Sequence, residues 1–167
     1  MDVSTIGSCV IVSSYSKPGD SKINEHASQR SVELFKSGYF CAESVLLAIA
    51  ENRGIQSDLI PKIATGFCSG ISRTGSMCGA VSGAIMGINL AVGRSSPSES
   101  IEPSYSLTQQ LISLFERQYG SANCRQLIGC DLATEEGQRT FLENNLMERC
   151  LQYAQDATRM AISLIAE

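Results

Sequence analysis

The sequence predicts an all-α protein, a compact bundle of about six to seven helices with a glycine-rich helix at its centre. Three observations carry that expectation. Apolar residues recur at intervals of three and four along most of the chain, and nothing alternates convincingly with period two beyond the first twenty residues. Clusters of Gly, Pro, Ser and Asn fall where those periodic runs would start and stop. At 167 residues and 43% hydrophobic, the chain can bury one continuous core.

Residues 1–20 mix Ser, Gly and short β-branched runs and close on the turn signal SKPGD. They read as a tail or accessory strand outside a single domain spanning 21–167. From Ser21, a first helix puts Ile23, Ala27, Val32, Leu34 and Phe35 roughly on one face and ends at Gly38. YFCAESVLLAIAENRG gives a second helix closed by Gly54. SDLIPKIATGF opens with Ser57 and Asp58, good N-cap residues, and has Pro61 near its first turn, so it reads as a third. CSGISRTGS is a loop.

The fourth helix is the glycine-rich run 77–93. No charge follows Arg73 there, and Gly75, Gly79, Gly83 and Gly87 recur every fourth residue. Each interior glycine costs up to ~1 kcal/mol relative to Ala, so the stripe needs a reason: close helix approach, or space beside Cys78. Packing is the expectation for Gly83 and Gly87, and a place at the site for Gly79. A Ser/Pro/Glu linker near 94–104 reads as exposed. YSLTQQLISLFERQYG then repeats Leu107, Leu111, Leu114 and Phe115 and stops at Gly120. SANCRQLIGCDLA is a short helix and a turn. The last long helix runs from about Gln138 to Ala166, with Leu142, Leu146, Cys150, Ala154, Ala157, Ala161 and Leu164 or Ile165 inward.

Composition excludes several functions. A net charge of -4, with scattered Lys and Arg, argues against nucleic-acid binding. The single histidine, His26, rules out chemistry built on His pairs. GAVSGAIMG follows a loop rather than a strand, so no dinucleotide fold is expected. The apolar run of about 17 residues is at the short limit for a membrane span and carries Ser82, Asn89 and several glycines; a buried helix is the better reading. No basic region precedes the short apolar piece at the front of the chain, so no signal peptide and a cytoplasmic location are expected.

Seven cysteines are the unusual feature. In a helical chain with an odd count they point to reactive or metal-binding thiols rather than a disulfide framework. Cys41, Cys78 and Cys124 each fall in or near the first turn of an expected helix. There, unpaired N–H groups and the positive dipole end favour a thiolate. Thr74 or Ser76 could cap the helix at Cys78, and Ser121 or Asn123 the one at Cys124. Arg73 and Arg125 would add to the effect if they face inward. Cys150 sits on the core-facing stripe of the last helix.

FCAESVL, GISRTGSMCGAVSGAIMGI, NCRQLIGCDL and ERC within the final helix together resemble a family named for four cysteines, the second in a small glycine-rich element. Here that element is Cys78-Gly79-Ala80-Val81-Ser82-Gly83, a CGAxxG where the family label writes GCAxxG. Cys41, Cys124 and Cys150 match the other three signature cysteines, and the resemblance covers about residues 22–166. It implies a helical bacterial or archaeal protein, redox-active through its four cysteines, with an unidentified redox partner linked to a transporter system. Multihaem cytochromes carry a related helical domain, but this chain has no C-x-x-C-H for covalent haem. Cys9, Cys68 and Cys130 lie outside the signature; Cys68 and Cys130 are candidate resolving thiols or extra ligands.

Three functions are therefore on the table. The leading one is thiol–disulfide chemistry, with a low-pKa Cys78 attacking and Cys41, Cys124 or Cys150 resolving the mixed species. With no C-x-x-C in the chain, any pair must form across helices. Gly79, Ala80, Gly83 and Arg73 would support the site, and Glu43 is a candidate proton acceptor or a solvated helix-start acid. The second is a zinc or iron–sulfur site ligated by Cys41, Cys78, Cys124 and Cys150. The third is a non-catalytic helical scaffold in which the cysteines only pack. The glycine-rich face would also allow a homodimer.

Overall fold

The structure is a computed structural model that describes residues 18–166. The expectations for residues 1–17, Cys9 included, lie outside that range, as do the side chains of residues 18–24 with Ile23 among them. Eight helices run through the described residues with no strand: α1 Pro18–Lys36, α2 Cys41–Asn52, α3 Cys68–Ser72, α4 Gly79–Val92, α5 Glu102–Tyr119, α6 Cys124–Ile128, α7 Glu135–Glu143 and α8 Met147–Ile165. The all-α bundle expected from the sequence is what forms. No helix among the described residues is long and apolar enough to cross a membrane.

Helices α1, α2, α4 and α8 pack on one another, and α5 covers α4 and α8. The α1 face predicted from periodicity is inside: Ala27, Val32, Leu34 and Phe35 are buried. Helix α2 has neither Gly nor Pro and buries nine of its twelve residues, Cys41 to Leu46 and Ala48 to Ala50. The uncharged α4 buries Gly79 to Ala84, Gly87 and Ile88, and it packs against α2, α8 and α5. Helix α8 turns Leu151, Ala154, Ala157, Thr158, Ala161 and Leu164 inward at helical spacing.

Helix ends follow local chemistry. At Gly38 and at Gly54 the chain turns left-handed, and the next residue's N–H reaches back to the helix: Tyr39 to the Leu34 carbonyl and Ile55 to the Ala50 carbonyl. The same device ends α7. Asn145 takes φ +49, Leu146 N–H donates to the Phe141 carbonyl and Asn145 N–H to the Leu142 carbonyl. The single helix expected from Gln138 to Ala166 is thus two, because an asparagine supplies the left-handed residue that glycine usually supplies. Leu142, expected inward, is 74% exposed as a result. Helix α7 also starts earlier than expected, at Glu135, where the Thr134 hydroxyl accepts from Gly137 N–H and two acids face the positive end.

Two further departures lie between α2 and α5. The third expected helix is a 3₁₀ helix, Lys62–Phe67, in a stretch whose Pro61, Thr65 and Gly66 are weak helix formers. The exposed segment after α4 ends at Ile101, so Glu102 to Ser104, assigned to the linker from sequence, form the first turn of α5.

Candidate functional site

Two local devices bring distant cysteines together. The first is a single antiparallel bridge between Met77 and Asn123. Cys78 N–H donates to the Ala122 carbonyl at 2.8 Å, and Cys124 N–H to the Ser76 carbonyl at 2.7 Å. Cys78 and Cys124 therefore share one face as diagonal neighbours, a relation that sets backbones about 7–8 Å apart. Each then opens a helix: Cys78 is the N-cap residue of α4, and Cys124 is the first residue of α6. The Asn123 side chain caps α6 by accepting from Gln126 N–H, as its sequence position suggested, while neither Thr74 nor Ser76 caps α4.

The second device is α3, a turn of the wrong hand. Ser69, Gly70, Ile71, Ser72 and Arg73 have φ of 56, 67, 57, 52 and 68°. For L-residues a left-handed turn costs about 1–2 kcal/mol per residue, and β-branched Ile71 is the least suited to it. The turn is held by Arg73 N–H to the Ser69 carbonyl, Ser76 N–H to the Gly70 carbonyl and the Ser72 hydroxyl to the Gly66 carbonyl, all near 3 Å. In return it aims Ser69 N–H at the Cys41 sulfur, 3.4 Å away. A Cβ on Gly70 would stand 2.4 Å from Cys124 Cβ, so only glycine lets the turn lie against that thiol. Strain of this kind accumulates where a structure serves a site.

Cys41, Cys78, Cys124 and Cys150 all line one cavity of about 250 Å³. Its remaining wall is mostly apolar: Phe35, Phe40, Leu127, Ile128, Leu132, Phe141, Leu142, Met147 and Tyr153, with Ser69, Arg73, Gly79 and Gln138. Tyr153 is fixed from behind. Its hydroxyl donates to the Leu127 carbonyl at 3.2 Å, and its ring packs edge-on against Tyr119 at 4.7 Å and Phe115 at 5.9 Å. Tyr119 is in turn held by buried Asp156, which also accepts from Gln118 and Gln152 and pairs with Arg159. These aromatic walls carry no sequence signature and were not anticipated.

The electrostatics correct one expectation. Placement at a helix start suggested a depressed Cys78 thiol, yet burial pushes it up to about 12. The amides of Ala80 and Val81 favour its charged form, and burial outweighs them. Burial likewise raises Cys124 to about 11, with Cys130 adding to it, and Cys150 to about 12, with Cys78, Cys124 and Cys130 adding. Removing a thiolate from water costs more than a helix N-terminus returns. Cys68 is also raised, first by the neighbouring Cys41 and then by burial, and its thiol donates to the Ala64 carbonyl at 3.7 Å. Cys130 is half-buried and raised by burial and Asp131; neither it nor Cys68 lines the cavity.

The other expected residues separate. Arg73 and Gly79 line the cavity. Arg125 does not; it pairs with Asp131 at 2.9 Å. Gly83 faces the backbone of Ala42 instead. Glu43 is a buried helix-start acid rather than a solvated one: its carboxylate accepts from Phe40 N–H at 2.8 Å and from the Thr65 hydroxyl at 2.6 Å. With both oxygens engaged and away from the cavity wall, it anchors the start of α2 and so positions Cys41. Among the described residues no group of three or more His, Cys, Asp or Glu side chains is gathered as a preformed ion site.

The family described as "Putative redox-active protein (C_GCAxxG_C_C)" matches residues 39–164. An uncharacterized protein of Archaeoglobus fulgidus is 32% identical over 130 residues, covering 71% of this chain and 85% of that protein. No solved structure matches the chain.

Proposed function

The chain belongs to the C_GCAxxG_C_C family, and from that membership we propose that it is a thiol-based redox protein exchanging disulfides with a small, largely apolar substrate. One observation carries the reading: the four signature cysteines, scattered from position 41 to 150, line a single cavity. Packing alone gives no reason for four thiols from α2, α4, α6 and α8 to face the same space. The apolar wall suits an apolar substrate body, and Arg73, the one cation on that wall, suits an anionic group at its edge.

The raised thiols fit a resting state that is reduced and protonated. Attack then requires a thiolate, so exchange is slow at neutral pH and accelerates as pH rises. The test is an intact-mass thiol count on protein purified without oxygen, before and after mild oxidant, with metal analysis on the same sample. Seven alkylated thiols, five after oxidant and seven again after reduction are expected from the seven cysteines, with no stoichiometric metal. Seven inert thiols would leave a helical scaffold. Stoichiometric metal, or thiols that a chelator unmasks, would replace the reading with metal binding.

A further inference from the structure

Cys41 has a face the cavity does not account for. Close to it lies Cys68, which is 6% exposed, does not line the cavity and is outside the four-cysteine signature. Two observations place the two together. The residue after Cys68 points its N–H at the Cys41 sulfur, 3.4 Å from it. A Cβ built on Gly79 would lie 2.3 Å from Cys41 Sγ and 3.3 Å from Cys68 Cα, so both crowd the space that glycine leaves open. The Cys68 thiol itself donates to the Ala64 carbonyl at 3.7 Å, which leaves its sulfur free to turn toward Cys41. Cys41 therefore borders both the cavity and a second thiol that the cavity does not reach.

We infer that Cys68 is the resolving thiol for Cys41, closing a Cys41–Cys68 disulfide beside the cavity. This rests on the thiol–disulfide reading of that cavity and adds a fifth cysteine to it. In the first step the Cys41 thiolate attacks one sulfur of a disulfide R–S–S–R held in the cavity. A Cys41–S–S–R bond forms, R–S⁻ departs and takes up the proton Cys41 gave, and one R–SH results. In the second step Cys68 attacks the Cys41 sulfur. The Cys41–S–S–R bond breaks, Cys41–S–S–Cys68 forms, and the second R–S⁻ takes the Cys68 proton. Two protein thiols are oxidised, and one disulfide is reduced to two thiols.

Displacement at sulfur needs the attacking sulfur, the attacked sulfur and the leaving sulfur roughly in line, and a thiol beside Cys41 but off the cavity lining is one the bound substrate does not displace. Cys41 is the first cause raising Cys68, and burial is the second. The amides of Ala42 and Glu43, at the start of α2, remain to favour the Cys68 thiolate.

The experiment treats oxygen-free full-length protein with 2-hydroxyethyl disulfide, alkylates the remaining thiols and maps the disulfides by peptide mass. A Cys41–Cys68 cross-link is expected in the native protein, with Cys68→Ser stalled as a hydroxyethylthio adduct on Cys41 that closes at least tenfold more slowly. A native cross-link joining Cys41 to Cys78, Cys124 or Cys150, or Cys68→Ser closing at the native rate, would overturn the inference and leave the thiol–disulfide reading standing. No thiol consumed would overturn both. Should Cys68→Ser lose its helical circular dichroism, the native cross-link map decides alone.

Discussion

Along the seam between α2 and α4, three glycines at the same spacing meet three different neighbours. A Cβ on Gly83 would lie 2.6 Å from the Ala42 carbonyl oxygen and 3.0 Å from Ala42 Cα, both fixed backbone. On Gly87 it would meet only the Ile49 side chain, at 2.4 to 3.0 Å. On Gly79 it would meet the Cys41 sulfur at 2.3 Å. One end of the seam is a packing contact between helices, and the other is the wall of a thiol site. The stripe of small residues is the same in both; what it faces gives it its meaning.

The largest effect on stability is expected at Gly83. Gly83→Ala gains up to ~1 kcal/mol of helix propensity but must push two backbones apart, for a net loss of about 2 kcal/mol. At roughly 2–4 °C per kcal/mol for a chain of this size, thermal melting by circular dichroism should fall several degrees. A melting temperature within a degree of the native value would show that the packing half of the seam is not tight.

Gly79→Ala should cost less, about 1–2 kcal/mol, because the nearest atom, the Cys41 sulfur, can rotate away, and the nearest backbone atom, the Phe67 carbonyl oxygen, stands at 3.0 Å rather than 2.6 Å. Its cost should shrink in a Cys41→Ala background, while that of Gly83→Ala should not. Equal costs of Gly79→Ala in both backgrounds would mean that Cys41 is not what the glycine makes room for.

Alkaline pH should loosen the thiol half selectively. Unfolded thiols titrate near 9.0, while folded Cys78 and Cys150 hold their protons to about 12. The folded state thus binds more protons between those values. The associated stability is fully present below pH 9 and is lost as pH climbs toward 12. Denaturant midpoints should fall across that window, less steeply in Cys78→Ala, and in parallel with the native protein for Gly83→Ala. An unchanged slope in Cys78→Ala would sink the assignment.

The smallest effect belongs to Gly87→Ala, within about 1 kcal/mol of native, since propensity offsets contact with a side-chain end. Adding Ile49→Val removes the atom at 2.4 Å and should recover most of any loss. A double variant no more stable than the single would place the contact elsewhere.

Much of this architecture was legible. Gly38, Gly54 and Gly120 end helices as their positions announced, and the α8 stripe buries Ala154, Ala157 and Ala161. Asn145 was missed because asparagine enters the left-handed region less often than glycine, so the Asn-Asn pair is a weak stop signal within an apolar pattern. The hand of α3 was not legible either: Gly70 and Gly75 hint at a turn, but nothing local predicts Ile71 at φ 57.

By itself the sequence determined most of the helices and their inward faces, and the presence of four thiols at or near helix starts and on the α8 stripe, because periodicity and capping act over a few residues. Tertiary structure alone decided that those thiols share one cavity, that Cys68 lies close to Cys41 and Arg125 turns away to Asp131, and that Cys78 is raised rather than lowered. Those outcomes depend on which surfaces exclude water and which backbones cross. Helix spacing along the chain encodes neither.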